Sequence, residues 1–163
     1  MSLAVTLGLA LPALAAPEPK PLGSFSQWDA FTYTEGRNKV CYIVGRPKSS
    51  EPKAAKRDEI YITVTHRTAD KVRNEVGVYV GYPLKEKTIV EAAVGNSKFS
   101  LFVKDDAAWA TDAKTDKALT DALVSGQALV VKGVSARGTA TTDTYVLSGF
   151  AAALKAINGA CPA

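Results

Sequence analysis

The stretch DEIYITVTHRTADKVRNEVGVYV, Asp58 to Val80, decides the fold. Ile60, Ile62, Val64 and His66 fall on one face and Tyr61, Thr63 and Thr65 on the other, the period-two signature of a half-buried antiparallel strand. From Val72 to Val80 the pattern returns with Val76, Val78 and Val80. The intervening RTADK has the length of a hairpin connection, so the two runs are expected to pair.

The same patterning continues on both sides. Trp28–Tyr33 and Lys39–Gly45 (KVCYIVG) read as strands, the second setting Val40, Tyr42 and Val44 against Cys41 and Ile43. Arg46–Arg57 (RPKSSEPKAAKR) is too polar and too broken by proline to be core. Lys87–Val94 and Lys98–Val103 flank Gly95-Asn96, a dipeptide that tolerates positive φ and marks a second hairpin. Over Asp112–Val124 the period changes to helical, through Ala118, Leu119, Ala122 and Leu123, with Thr115 as candidate N-cap and Gly126 as stop.

Ala128–Ser135 and Thr141–Ser148 form the last predicted strand pair. If Arg137-Gly138 is a two-residue turn, counting outward sets Lys132 opposite Asp143, Val130 opposite Tyr145 and Ala128 opposite Leu147. The hydroxyls of SARGTATTDTYVLSGF (Ser135–Phe150) then read as strand formers rather than as a nucleophile with helpers. A closing helix aligns Phe150, Ala153, Leu154 and Ile157 before Gly159. The sum is a mainly β protein, a sandwich of about seven to nine antiparallel strands with short helices near 112–124 and 150–158.

At 163 residues, with 47% hydrophobic and 22% charged residues, the chain suits one domain with a substantial core. Its net charge of +4 comes from 20 basic residues interspersed with 16 acids, which argues against a nucleic-acid partner. Residues 1–16 read as a signal peptide with a truncated start, since the first cation is Lys20. That apolar run is shorter than the roughly 20 residues needed to span a bilayer, so no transmembrane segment is expected in the mature chain. Residues 17–24 read as a Pro-rich leader and 25–163 as the single domain. In an oxidising compartment the two cysteines, Cys41 and Cys161, read as a disulfide before a metal or catalytic pair, two separate buried thiols being the alternative.

His66 is the sole imidazole, so any Ser-His-Asp arrangement depends on it. A histidine packed at the rim of the sheet is the plainer expectation; with Arg67, Lys71 and Arg73 near, it could instead line an anion or carboxylate site at the hairpin tip. Asp105, Asp106, Asp112, Asp116 and Asp121 read as turn formers and solvated charge rather than a glycosidase pair. Metal-ligand spacings and a Gly-rich phosphate loop are absent, so no catalytic, metal or cofactor residue is assigned. Tyr79 is out of phase with Val78 and Val80 and is expected to face outward. The candidate interaction surface is His66, Arg67, Asn74, Tyr79 and Tyr82, with the Arg46–Arg57 loop beside it.

Trp28 with the downstream KVCYIVGRPK, then THRTADKVRNEVGVYVGYPL, FVKDDAAWATDAKTDKAL and KGVSARGTATTDTYVLSGFAAALKAINGAC, resembles the invasion-associated locus B (IalB) proteins of Gram-negative bacteria. The resemblance runs through nearly all of the mature chain in order. It implies an exported, periplasmic or secreted domain with an immunoglobulin-like β-sandwich and a Cys41–Cys161 bridge. The family takes its name from a link to host-cell invasion, and none of the matching segments is a catalytic signature. The expected function is non-enzymatic: binding a protein or envelope component, with an exposed edge strand able to support a homodimer. The alternatives are a small periplasmic hydrolase pairing His66 with Ser148 or Thr65, and a purely structural envelope component.

Overall fold

The computed structural model describes residues 16–163; residues 1–15, on which the signal-peptide expectation falls, lie outside the described part. In chain order the elements are β1 (Lys20–Phe25), β2 (Trp28–Glu35), β3 (Asn38–Gly45), β4 (Ser49–Glu51), β5 (Tyr61–Arg67), β6 (Val72–Tyr79), β7 (Ile89–Val94), β8 (Ser97–Lys104) and β9 (Ala107–Trp109). They continue with α1 (Ala113–Ser125), β10 (Ala128–Val134), β11 (Ala140–Val146) and α2 (Phe150–Ala160). The mainly β, antiparallel architecture with two short helices is the one the patterning predicts.

Among the described residues the strands number eleven rather than seven to nine, hydrogen-bonded as one continuous sheet in the order β1-β2-β3-β5-β6-β9-β8-β7-β10-β11-β4. The additional strands are short or polar: β1 forms within KPLGSF, β4 inside the cationic loop, and β9 inside KDDAAW. A three-residue strand carries too little alternation to register as a pattern. The sheet folds over on itself, because Trp28 Nε1 of β2 donates to Val146 O of β11 at 3.0 Å. The layers of the sandwich are therefore two stretches of one ladder around a single core.

In β5, Ile62, Val64 and His66 are buried while Tyr61, Thr63, Thr65 and Arg67 are half-buried, as the alternation requires. Their partners on β6 are in the expected register, Ile62 opposite Val78 and Val64 opposite Val76. The core continues through Ile43, Leu101, Leu129 and Tyr145, and both helices contribute: Leu119 and Leu123 from α1, Phe150 and Ile157 from α2. Phe150 meets Trp28 edge-on at 4.9 Å. At the start of α1 the cap is Asp112 rather than Thr115: the Asp112 carboxylate accepts Thr115 N–H at 2.7 Å.

The β10–β11 hairpin corrects the register expected from a two-residue turn. Lys132 pairs with Thr142, Val131 with Asp143 and Leu129 with Tyr145. Ser135 N–H bonds Thr139 O, and Gly138, at φ +88°, closes a loop of odd length, Ala136 to Gly138. One extra loop residue shifts the ladder by one, which turns Asp143 from the solvent side to the core.

Candidate functional site

Among the described residues, the ones expected to form one surface are divided among three of the places where polar or aromatic side chains gather. The first is a knot at the C-terminal end of α2, buried at its histidine and disulfide and open at its Asn158 rim. His66 on β5 is fully buried and sits opposite Cys41 on β3. Cys41 is bonded to Cys161, with the two Cα atoms 6.0 Å apart, so the disulfide ties the C-terminal cap of α2 to β3. His66 Nδ1 accepts the Asn74 N–H at 3.1 Å, at the bulge where Asn74 adopts φ +57°. Its Nε2 lies 2.8 Å from Asn158 Oδ1.

An amide oxygen can only accept, so Nε2 carries the proton and the ring is held in one neutral tautomer. Arg73 completes the knot, donating to Cys161 O at 2.7 Å and Asn158 Oδ1 at 2.8 Å. Burial lowers the His66 pKa below its usual value; the bond to Asn158 opposes that shift and the Arg73 charge adds to it. Among the described residues, neither a hydroxyl nor a carboxylate is hydrogen-bonded to His66. Arg73 is spent on the same knot rather than on an open anion site.

The second place is the mouth of the sandwich near Tyr82. Arg57, from the loop expected to be solvated, reaches into the interior and donates to both oxygens of Asp143, at 2.7 and 2.6 Å, and through Nε to Val80 O at 2.9 Å. Both side chains are almost completely buried, at 5% and 1% exposure. Tyr82 lies under the guanidinium, 4.9 Å from its ring centre, and its hydroxyl bonds Thr141. Burial raises the Tyr82 pKa, so the phenol stays protonated. No sequence signal placed Arg57 here, because the one-residue register shift that buries Asp143 also creates the need for a buried cation.

The third is the outward face of the sheet. Cross-strand pairing lines up Ile89 on β7, Phe102 on β8, Trp109 on β9 and Gly77 on β6. Gly77 is required there: a Cβ would come within 2.8 Å of the Trp109 ring. Tyr79 stacks on Tyr61 at 4.4 Å and meets Trp109 edge-on at 5.8 Å. Ile89 is 59% and Phe102 43% exposed, so the row ends in uncovered apolar surface. Arg67, beside it, pairs with Glu75 at 2.6 Å.

Of the five expected surface residues, Arg67 and Tyr79 share this outward face, His66 faces inward, Asn74 supplies a backbone N–H to it, and Tyr82 lines the mouth. The Ile89–Phe102–Trp109 row escapes a reading of single strands because it exists only across strands. Ile89 looks like ordinary core in sequence, and only its pairing phase turns it outward.

Together these features define a class: among the described residues, an antiparallel β-sheet folded on one core and closed by a long-range disulfide. The chain belongs to the invasion associated locus B (IalB) protein family, whose profile matches residues 28–158. The matched span begins at the Trp28 that packs on Phe150 and ends at the Asn158 that holds His66. No curated protein and no solved structure matches the chain. No described helix is long and apolar enough to cross a membrane.

Proposed function

We infer that the protein is an exported, non-enzymatic component of the bacterial envelope that acts by binding a protein or another envelope component. The observation that carries this reading is the outward row in which exposed Ile89 and Phe102 continue into the half-buried, mutually packed Trp109, Tyr79 and Tyr61. Tyrosine and tryptophan give much contact area for little conformational entropy, which suits them to a contact surface. The disulfide supports export, since such bonds persist where thiols are not kept reduced. The committed neutral His66, bonded to an amide and a backbone N–H, supports a non-catalytic role over the hydrolase alternative, which needs a hydroxyl partner and an orienting acid.

The test is binding of the mature protein to envelope extract, compared with Ile89→Ser/Phe102→Ser. Neither side chain belongs to the buried core, so folding is expected to survive. A reduction of at least about tenfold in bound material supports the reading; equal binding assigns any contact to another surface.

A further inference from the structure

The mouth beside Tyr82 opens into a cavity of about 540 Å³, the size of small-molecule sites. We propose that it binds a sugar-sized ligand bearing one carboxylate or phosphate, independently of the outward face. Its wall combines apolar groups, including Ala55, Pro83 and Ala136, with hydroxyls and cations at the rim.

The cations come first. Lys56 and Arg137 line the opening, both exposed, and neither takes part in an ion pair within the described residues. Among the described residues Asp58 is the one carboxylate in the lining, and Arg57 is neutralised from below by Asp143. The opening is therefore left with two free cations against one acid. A guanidinium has five N–H donors, and Arg57 gives one to Val80 O and two to Asp143, leaving two without an acceptor among the described residues. The buried pair thus holds a charged group rigidly at the cavity wall, where an isolated arginine would pay conformational entropy to bind.

The hydroxyls favour a polyhydroxy body. Ser135 Oγ accepts Thr139 N–H at 3.1 Å and keeps its own proton to donate. The Thr139 hydroxyl lines the same wall and makes no hydrogen bond within the described protein. A sugar acid or sugar phosphate presents one anion to the rim, hydroxyls to Ser135 and Thr139, and its C–H face to the Pro83 and Ala136 side. Envelope glycans and free periplasmic metabolites both offer that chemistry.

Backbone amide shifts of the isotope-labelled mature protein, titrated with glucuronic acid, glucose 6-phosphate, glucose and inorganic phosphate, test the assignment. Saturable shifts at Gly81, Ala136 and Thr139 are expected with the two charged sugars, with Kd near or below about 1 mM, and weaker by about tenfold or more with glucose. Lys56→Ser/Arg137→Ser, which changes only rim residues, is expected to lose about tenfold in affinity while the rest of the spectrum stays native. Glucose binding as tightly as glucuronic acid, or phosphate as tightly as glucose 6-phosphate, overturns the proposal, as does the absence of saturable shifts at these residues. If it holds, repeating the titration with soluble fragments of the envelope glycan against free sugar acids separates the two sources.

Discussion

His66 shows how a lone histidine is settled by its neighbours. Both ring nitrogens are occupied, and burial holds the imidazole neutral. Because its folded pKa lies below the unfolded value, the unfolded chain takes up the proton first as pH falls. Stability is therefore full above about pH 6.5 and declines below it, approaching about 1.4 kcal/mol per pH unit until the folded pKa is passed. Urea denaturation between pH 7.5 and 5.5 is expected to show this decline in the wild type and a flatter profile in His66→Gln; equal profiles would mean that the ring titrates freely. Asp143 makes a second residue-scale prediction. Removing one member of a buried pair strands the other charge, so Asp143→Ala is expected to cost about 3 to 5 kcal/mol, while Arg57→Met/Asp143→Leu recovers most of that loss. Calorimetric unfolding of the three proteins checks it. Neither environment is legible at the residue itself: sequence phase gives His66 an inward direction, but Asn158 and Arg57 arrive from elements far along the chain.

The elements were legible where a local pattern persists for several residues. The β5–β6 hairpin, the β7–β8 hairpin and both helices follow directly from alternation, turn residues and helical spacing. What escaped was β1, hidden in the polar, proline-containing KPLGSF, then β4 and β9, with three residues each, and the register of β10–β11, set by one loop residue. A turn containing Arg-Gly does not announce whether its loop has two residues or three, yet that choice moves every side chain of β11 to the other face. At α1 the cap can be tested directly. Asp112→Ala is expected to destabilise the protein measurably, and Thr115→Ala by clearly less, because the capping oxygen belongs to Asp112. Chemical denaturation of both variants decides between the two positions.

For the whole molecule, the long-range bridge and the continuous sheet set the behaviour. Cys41→Ala/Cys161→Ala opens a loop spanning 120 positions and is expected to cost about 2 to 5 kcal/mol, with α2 loosening first as seen by amide exchange at its C-terminal turns. Period-two patterning and the two cysteines were enough to expect a mainly β fold with a disulfide. They could not reveal its surfaces, because the apolar outward row exists only across paired strands and the cationic mouth only where loops distant in sequence meet. The central claim is that the Ile89–Phe102–Trp109 face carries the contact. Its most direct test is a photo-crosslinking residue at position 102, with a matched control at Lys155 on α2, expressed in living cells. The account predicts a discrete crosslinked product from position 102 and none of that size from position 155. Crosslinking from 155 with none from 102 would contradict it.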